Sequence, residues 1–250
     1  MTATMPQPLP QILPSMMHAP TPEAKWPIAE CFKSPQGEAT FAGTYMAFIR
    51  FAGCNVGKPY TEQERLFLGT KIYQEQCCSI LGENFSCDTN YKMAMKMGVA
   101  ELMAFVGDTE HVCLTGGEPL MHDLSTLVVA LLQAGKMVHI ETSGTKSAGK
   151  VLSAAVPYGT WKVWITVSPK LGCTLEMLDV ADELKVLVGD KFDEALFVQK
   201  FAGRFHKTWI QPIGEEHSLI PENIKRCVLL QEKYPDLKIS IQCHKILGVR

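Results

Sequence analysis

The chain has 250 residues, a formal net charge of −2, and Lys and Arg residues scattered along its length, so neither the net charge nor any basic run predicts a surface for nucleic acid. No apolar run approaches the roughly 20 residues that span a bilayer, and the first residues lack the basic and apolar segments of a secretion signal, which predicts a cytoplasmic protein with no membrane partner. Nine cysteines in such a chain favour metal binding or catalysis over structural disulfides.

The composition of the first segment, residues 1–27, predicts a flexible leader. It contains seven of the fifteen prolines of the chain and little periodic apolar pattern. The remainder, residues 28–250, is long enough to form one catalytic domain with its own core. We therefore exclude the leader from the candidate site.

Seven short runs rich in β-branched and aromatic residues follow, and they predict mostly buried strands. In chain order the runs are 45–51, 111–115, 137–142, 162–168, 183–188, 208–211 and 238–242. Helical spacing occurs over 91–106, 124–134 and 221–233. This alternation predicts an α/β fold with a parallel sheet. Because the helical patterns between the later strands are weak, we expect a partial, incomplete TIM-type barrel with few crossover helices.

Polar residues gather where the predicted strands end. The positions are 50 and 54, 115–118, 141–144, 168–170 and 211–212. The carboxyl ends of parallel strands form the ligand face of such sheets, because every following loop converges there. Five strands are therefore expected to contribute to one site.

The sequence TGGEP at 115–119 is the first motif at this face. Two glycines after a buried strand let backbone groups approach a ligand closely, and Glu118 can accept a hydrogen bond from an ammonium group. A tight turn from strand to helix explains the same letters equally well.

The cysteines are the second motif. Cys54 follows the first predicted strand, Cys87 directly precedes Asp88 and Thr89, and only Cys77 and Cys78 lie between them. Three thiolates on a four-iron cluster would leave one iron open for a further ligand. Successive side chains point apart, so one of the two neighbouring cysteines should face the iron, and spacing alone leaves the choice open. A zinc-stabilised binding protein is the alternative, but zinc commonly takes CxxC pairs and the chain has none.

Eight motifs in fixed order carry a family resemblance. They are SPQGE (34–38), FIRFAGCN (48–55), CDT (87–89), LTGGEPL (114–120), HIETSGT (139–145), VSPK (167–170), WIQP (209–212) and QCHKILGVR (242–250). The series resembles the 7-carboxy-7-deazaguanine synthases, which are radical S-adenosylmethionine (SAM) enzymes. The resemblance implies a radical SAM core and a lyase that converts 6-carboxy-5,6,7,8-tetrahydropterin to 7-carboxy-7-deazaguanine with release of ammonia. Another radical SAM activity, such as a glycyl-radical activase, is the nearest alternative.

The resemblance also implies the cofactors and partners. It implies a 4Fe-4S cluster, SAM and Mg²⁺, an electron donor such as flavodoxin or ferredoxin, and a homodimer. Residues 55–86 are then an insertion in the cluster loop, with helical composition over 62–76 and a turn at Gly82. Relatives with such an insertion place a cysteine five residues before the glycine, so the resemblance selects Cys77. The implied cluster ligands are Cys54, Cys77 and Cys87.

Residue roles follow from the same motifs. Glu141 and His244 are implied as catalytic residues and Thr89 as a magnesium ligand. The implied SAM contacts are Gly117, Ser168, Pro169, Lys170, Gln211, Pro212, Ile213 and Gly214. The implied substrate contacts are Pro35, Gln36, Gly37, Glu38, Arg50, Thr115 and the terminal carboxylate of Arg250. The chain departs from the family at Ala39, where glycine is common, and at Pro35, where an aliphatic residue is frequent.

Overall fold

A computed structural model of the protein describes residues 24–59, 63, 74–82, 84–87, 89–214 and 218–248. Its strands are β1 (Lys25–Pro35), β2 (Tyr45–Phe51), β3 (Lys58–Pro59), β4 (Gln74–Cys78), β5 (Asn84–Cys87), β6 (Met95–Gly98), β7 (His111–Gly116), β8 (Met137–Thr142), β9 (Val163–Val167), β10 (Glu183–Val188), β11 (Thr208–Pro212) and β12 (Lys238–Ile239). Its α-helices are α1 (Val99–Val106), α2 (Ser125–Gln133), α3 (Gly149–Ala155), α4 (Leu175–Val180), α5 (Glu194–Phe201), α6 (Pro221–Lys233) and α7 (Cys243–Leu247).

The main sheet has the order β12-β11-β10-β9-β8-β7-β2-β1-β6. All seven predicted strands are present, and they form one parallel run from β12 to β2. Strands β1 and β6 add antiparallel neighbours on one side. The described strands leave the two ends of the sheet unpaired with each other. The expectation of an α/β fold with an incomplete barrel is therefore confirmed.

Three local expectations differ from the structure. Strand β1 begins at Lys25, so the last three residues of the predicted leader are folded, and residues 1–23 lie outside the described part. The predicted helix over 91–106 begins only at Val99, because 95–98 pair with β1 as an antiparallel strand. The end of the helical stretch predicted over 62–76 is part of β4, and of its other residues only 63 is described.

The two faces of the parallel sheet differ in polarity. Leu127, Val128 and Leu131 of α2 are fully buried against the outer face, together with Val138 and Ile140 of β8. The inner face carries polar side chains that are also buried; these include Thr115, His139, Thr166, Glu183, Lys185 and Gln211. Buried polar groups need partners inside the fold. The inner face is therefore where binding chemistry is expected.

The insertion forms a separate sheet with the order β3-β4-β5. Its backbone joins the loop after β9 in two hydrogen bonds: the Ile80 amide donates to the Pro169 carbonyl at 3.1 Å, and the Leu171 amide donates to the Cys78 carbonyl at 2.8 Å. Since that loop lies at the carboxyl end of β9, the insertion lies over the ligand face of the barrel. No helix in the described ranges is both long and apolar enough to cross a membrane.

Candidate active site

The strand register brings three of the predicted site residues together on the inner face. Arg50 of β2 is paired with Thr115 of β7, and the Thr115 hydroxyl donates to Oε2 of Glu141 on β8 at 3.0 Å. Gln36, after β1, donates from Nε2 to Oε1 of Glu141 at 3.0 Å. Both carboxylate oxygens of Glu141 are thus held in fixed directions.

Cys54, Cys77 and Cys87 line one cavity of about 260 Å³, which we call the thiol cavity. Cys54 comes from the loop after β2, Cys77 from β4 and Cys87 from the end of β5. Gly117, Ser168 and Lys170, three of the predicted SAM contacts, line the same cavity. Three separate segments therefore bring their thiols to one space.

The pairing of β4 with β5 decides which of the two neighbouring cysteines faces this space. Cys77 is paired with Phe85, so their side chains lie on the same face of the ribbon, and Cys87 shares that face because it is two residues beyond Phe85. All three line the thiol cavity, whereas Cys78 does not. The Cys78 thiol instead donates to the carbonyl of Ser79 at 3.4 Å.

Gly117 is required by a close approach between two backbone segments. A Cβ atom at this position would lie 2.0 Å from the Gly53 carbonyl oxygen, and the Glu118 amide donates to the same oxygen at 2.9 Å. The TGGEP turn therefore holds the segment that carries Cys54. The Glu118 carboxylate is fully buried and accepts hydrogen bonds from Thr142 and Ser143.

The thiol cavity has the donor chemistry of an iron-sulfur site. Burial raises the pKa of Cys54 and raises that of Cys77 to about 12, so both thiols are protonated at neutral pH, and a metal bound to them would have to displace the protons. Burial, and next the neighbouring Lys185, lowers the pKa of Lys170 to about 8.

Across the described ranges no three His, Cys, Asp or Glu side chains converge as ligands of a single metal ion. A cluster differs from that arrangement because each thiolate binds a different iron.

A second cavity of about 220 Å³ adjoins the first, and we call it the polar cavity. Arg50, Thr89, Thr115 and Glu141 line both. Its other predicted residues are Pro35, Gln36, Gly37, Glu38 and His244. Only glycine fits at position 37, because a Cβ atom there would lie 2.1 Å from Nδ1 of His244. Burial lowers the pKa of His244, partly offset by Glu38, which favours the neutral imidazole.

A buried ion pair of Glu38 with Lys185 connects the two cavities. Lys185 lines the thiol cavity and Glu38 the polar cavity. The other Glu38 oxygen accepts from Nε2 of Gln211 at 3.0 Å and of Gln242 at 2.8 Å. Although burial opposes ionisation, Lys185 and the Gln242 amide lower the pKa of Glu38 to about 2, and Glu38 raises the pKa of Lys185. Both groups are therefore charged at neutral pH.

Some predicted residues do not line either cavity. They are Pro169, Gln211, Pro212, Ile213 and Gly214. The Gln211 side chain reaches Glu38 and accepts from Ser240 at 2.9 Å, so it supports the predicted substrate residues. Arg250 lies outside the described residues.

Lys185 and Tyr91 also line the thiol cavity, and neither was predicted from the sequence. The signal for Lys185 was a lysine within the run ELKVLV, which is otherwise apolar after its first residue Glu183; a lysine in a buried strand predicts a buried partner. Tyr91, four residues after Cys87, has no comparable signal in the sequence.

Comparisons with known proteins find relatives both in sequence and in structure. The chain is 31% identical over 229 residues to a 7-carboxy-7-deazaguanine synthase of Synechocystis sp., covering 90% of this chain and 94% of the relative. It is 32% identical over 228 residues to that of Bradyrhizobium diazoefficiens, covering 89% and 98%. The crystal structure of QueE from Escherichia coli is similar with a TM-score of 0.62 at 28% identity, over 88% of this chain and 95% of that one. No family model matches.

The Glu38–Lys185 pair gives a pH-dependent prediction. Lys185→Met leaves a carboxylate buried without its cation, and we expect the free energy of unfolding to fall by about 3–5 kcal/mol at pH 7. The pair contributes above the ordinary Glu pKa of 4.5 and is lost as the pH falls towards the folded value of about 2. The loss measured by urea unfolding should therefore shrink from pH 7 to pH 4.

The double variant Glu38→Gln/Lys185→Met is the matched control. It removes both charges, so it should recover much of the stability that Lys185→Met loses. An equal loss at both pH values, together with no recovery in the double variant, contradicts the importance of the pair.

Proposed function

The chain belongs to the 7-carboxy-7-deazaguanine synthase family, and on that premise we propose that it is a radical SAM lyase that converts 6-carboxy-5,6,7,8-tetrahydropterin to 7-carboxy-7-deazaguanine and ammonia. This reaction supplies the 7-deazapurine ring of queuosine-type bases. The observation that carries the proposal is the wall shared by the two cavities, because it places a thiol-lined space directly beside a space rich in hydrogen-bonding groups.

Cys54, Cys77 and Cys87 are proposed to hold a 4Fe-4S cluster. When bound, the cluster and SAM together supply reductive cleavage of SAM and a radical that takes a hydrogen atom from the substrate. The side chains and backbone of Gly117, Ser168 and Lys170 line the remaining space and would position SAM. The predicted SAM contacts Pro169 and 211–214 would act from outside the cavity wall.

The polar cavity is proposed to bind the pterin. Arg50 can hold the substrate carboxylate, and its direction is fixed because Nε donates to Glu30 at 2.8 Å. Glu38 stays anionic beside Lys185, so it can accept hydrogen bonds from N–H groups of the pterin ring. Gln36 and Gly37 complete this wall with amide and backbone groups. The terminal carboxylate of Arg250 is proposed as a further partner for the guanidine-like edge.

Glu141 and His244 are proposed to move protons at the substrate. Glu141 lies in the shared wall, so its carboxylate is the base that can meet a ring carbon presented to both cavities. The neutral imidazole of His244 faces the polar cavity and can donate or accept at a ring nitrogen. The hydrogen bonds from Gln36 and Thr115 keep Glu141 from rotating away.

A magnesium ion, an electron donor and a second copy of the chain are also proposed. The Thr89 hydroxyl is a hard oxygen ligand in the shared wall, which suits Mg²⁺ bridging to the substrate. We also propose a cytoplasmic homodimer, reduced by a flavodoxin or ferredoxin, and with no nucleic-acid or membrane partner. Family membership and the low net charge support these assignments.

Turnover tests the substrate assignment. Protein that is purified without oxygen, reconstituted with iron and sulfide and supplied with SAM, dithionite and Mg²⁺ should convert the carboxytetrahydropterin to 7-carboxy-7-deazaguanine, measured by absorbance and mass spectrometry. Omission of SAM should abolish the product. A loaded cluster that cleaves SAM but leaves the pterin intact would show that the substrate is wrong.

Serine substitutions test the cluster ligands. Cys77→Ser removes a thiol that lines the cavity, and iron and sulfide bound per chain should fall several-fold after reconstitution. Cys78→Ser is the matched control, because its side chain lies on the other face of β4 and the cluster should remain. Loss of iron from Cys78→Ser but not from Cys77→Ser would reverse the assignment.

A further inference from the structure

Tyr91 carries a buried hydroxyl group without a partner. The residue is 9% exposed, and its hydroxyl oxygen makes no hydrogen bond. Two tryptophan ring nitrogens, of Trp164 and Trp209, share this property among the described residues, but only Tyr91 of the three lines the thiol cavity. A buried donor that is left unsatisfied destabilises the fold. A hydrogen-bond acceptor in the thiol cavity is therefore the expected partner of this donor.

The surroundings of the hydroxyl indicate sulfur as that partner. The hydroxyl shares the thiol cavity with Cys54, Cys77 and Cys87, and Cys87 is the thiol that interacts with it most strongly. A phenol hydroxyl is a hydrogen-bond donor, and here it lies beside the Cys87 sulfur. Cys54 already has a donor of its own, because the Val56 amide lies 3.4 Å from its Sγ.

The position of the Tyr91 ring is fixed independently of the hydroxyl. The Tyr91 carbonyl accepts from the Gly53 amide at 3.0 Å, next to Cys54. On the chain after it, the Ala94 amide donates to Ile28 of β1 at 2.9 Å. The backbone therefore anchors Tyr91 between the barrel and the cluster loop, and removal of the hydroxyl should leave the ring in place.

We propose that Tyr91 is a positioning residue whose hydroxyl donates a hydrogen bond to the Cys87 sulfur once that sulfur binds iron, and thereby raises the reduction potential of the cluster. This inference rests on the proposed function, because it requires the cluster. A donor to a ligand sulfur draws negative charge away from the cluster and stabilises the reduced state, which carries one more negative charge. Tyr91 would make the electron that starts the reaction easier to supply.

The test compares Tyr91→Phe with wild-type holoprotein in an anaerobic redox titration followed by electron paramagnetic resonance. The midpoint potential of Tyr91→Phe should be more negative than that of the wild type. Tyr234→Phe is the matched control, because it removes a hydroxyl that is bonded to Glu194 at 2.9 Å outside both cavities, and its potential should not change. Equal potentials in all three proteins overturn the proposal.

A second measurement tests the proposal even if Tyr91→Phe fails to fold or to hold the cluster. In wild-type protein grown with tyrosine labelled with ¹⁷O in the phenol, pulsed paramagnetic resonance should detect ¹⁷O coupled to the reduced cluster. Absence of this coupling overturns the proposal even if the variant cannot be made. A wild-type protein that takes up no cluster at all contradicts the proposed function instead, so the two failures are distinguishable.

Discussion

The candidate site depends on two backbone hydrogen bonds between the insertion and the barrel. They join Ile80 to Pro169 and Leu171 to Cys78, and so fasten strand β4 to the loop after β9. With the ribbon held in this register, side-chain alternation turns Cys77 towards Cys54 and Cys87 and turns Cys78 away. A shift of one residue would exchange the two cysteines. The position of the Cys77 thiol thus depends on backbone hydrogen bonds to residues that are distant in the sequence.

The inner face of the barrel explains why polar chemistry can be held beside the thiols. A parallel sheet covered by helices on its outer face can bury charge on its inner face only when the charges are paired. Glu38 and Lys185 satisfy this condition, and Gln211 and Gln242 satisfy the remaining oxygen. The pair fixes the wall between the cavities. Phe41 fills the barrel nearer the amino ends of its strands, where its ring packs edge-on against His139 with ring centroids 4.5 Å apart.

The sequence was sufficient for the parallel strands because each is a compact apolar run, and the family motifs lie at their carboxyl ends. It was insufficient for β1, whose sequence KWPIAECFKSP mixes prolines and charges, and for β6, which lies within the stretch predicted as helical over 91–106 but pairs with β1. These elements are set by tertiary pairing and not by local preference. The partner of Lys185 is 147 residues away in sequence, and the orientation of Tyr91 depends on the backbone around Cys54. Neither arrangement has a local pattern that the sequence could reveal.

The central claim is that three thiols from three segments leave one iron of the cluster open to SAM. The direct measurement is pulsed paramagnetic resonance of the reduced holoprotein with SAM labelled by ¹⁵N in its amino group and ¹⁷O in its carboxylate. The account predicts that both labels couple magnetically to the cluster, because the amino acid part of SAM would bind the open iron. A reduced cluster whose spectrum is unaffected by labelled SAM would contradict it.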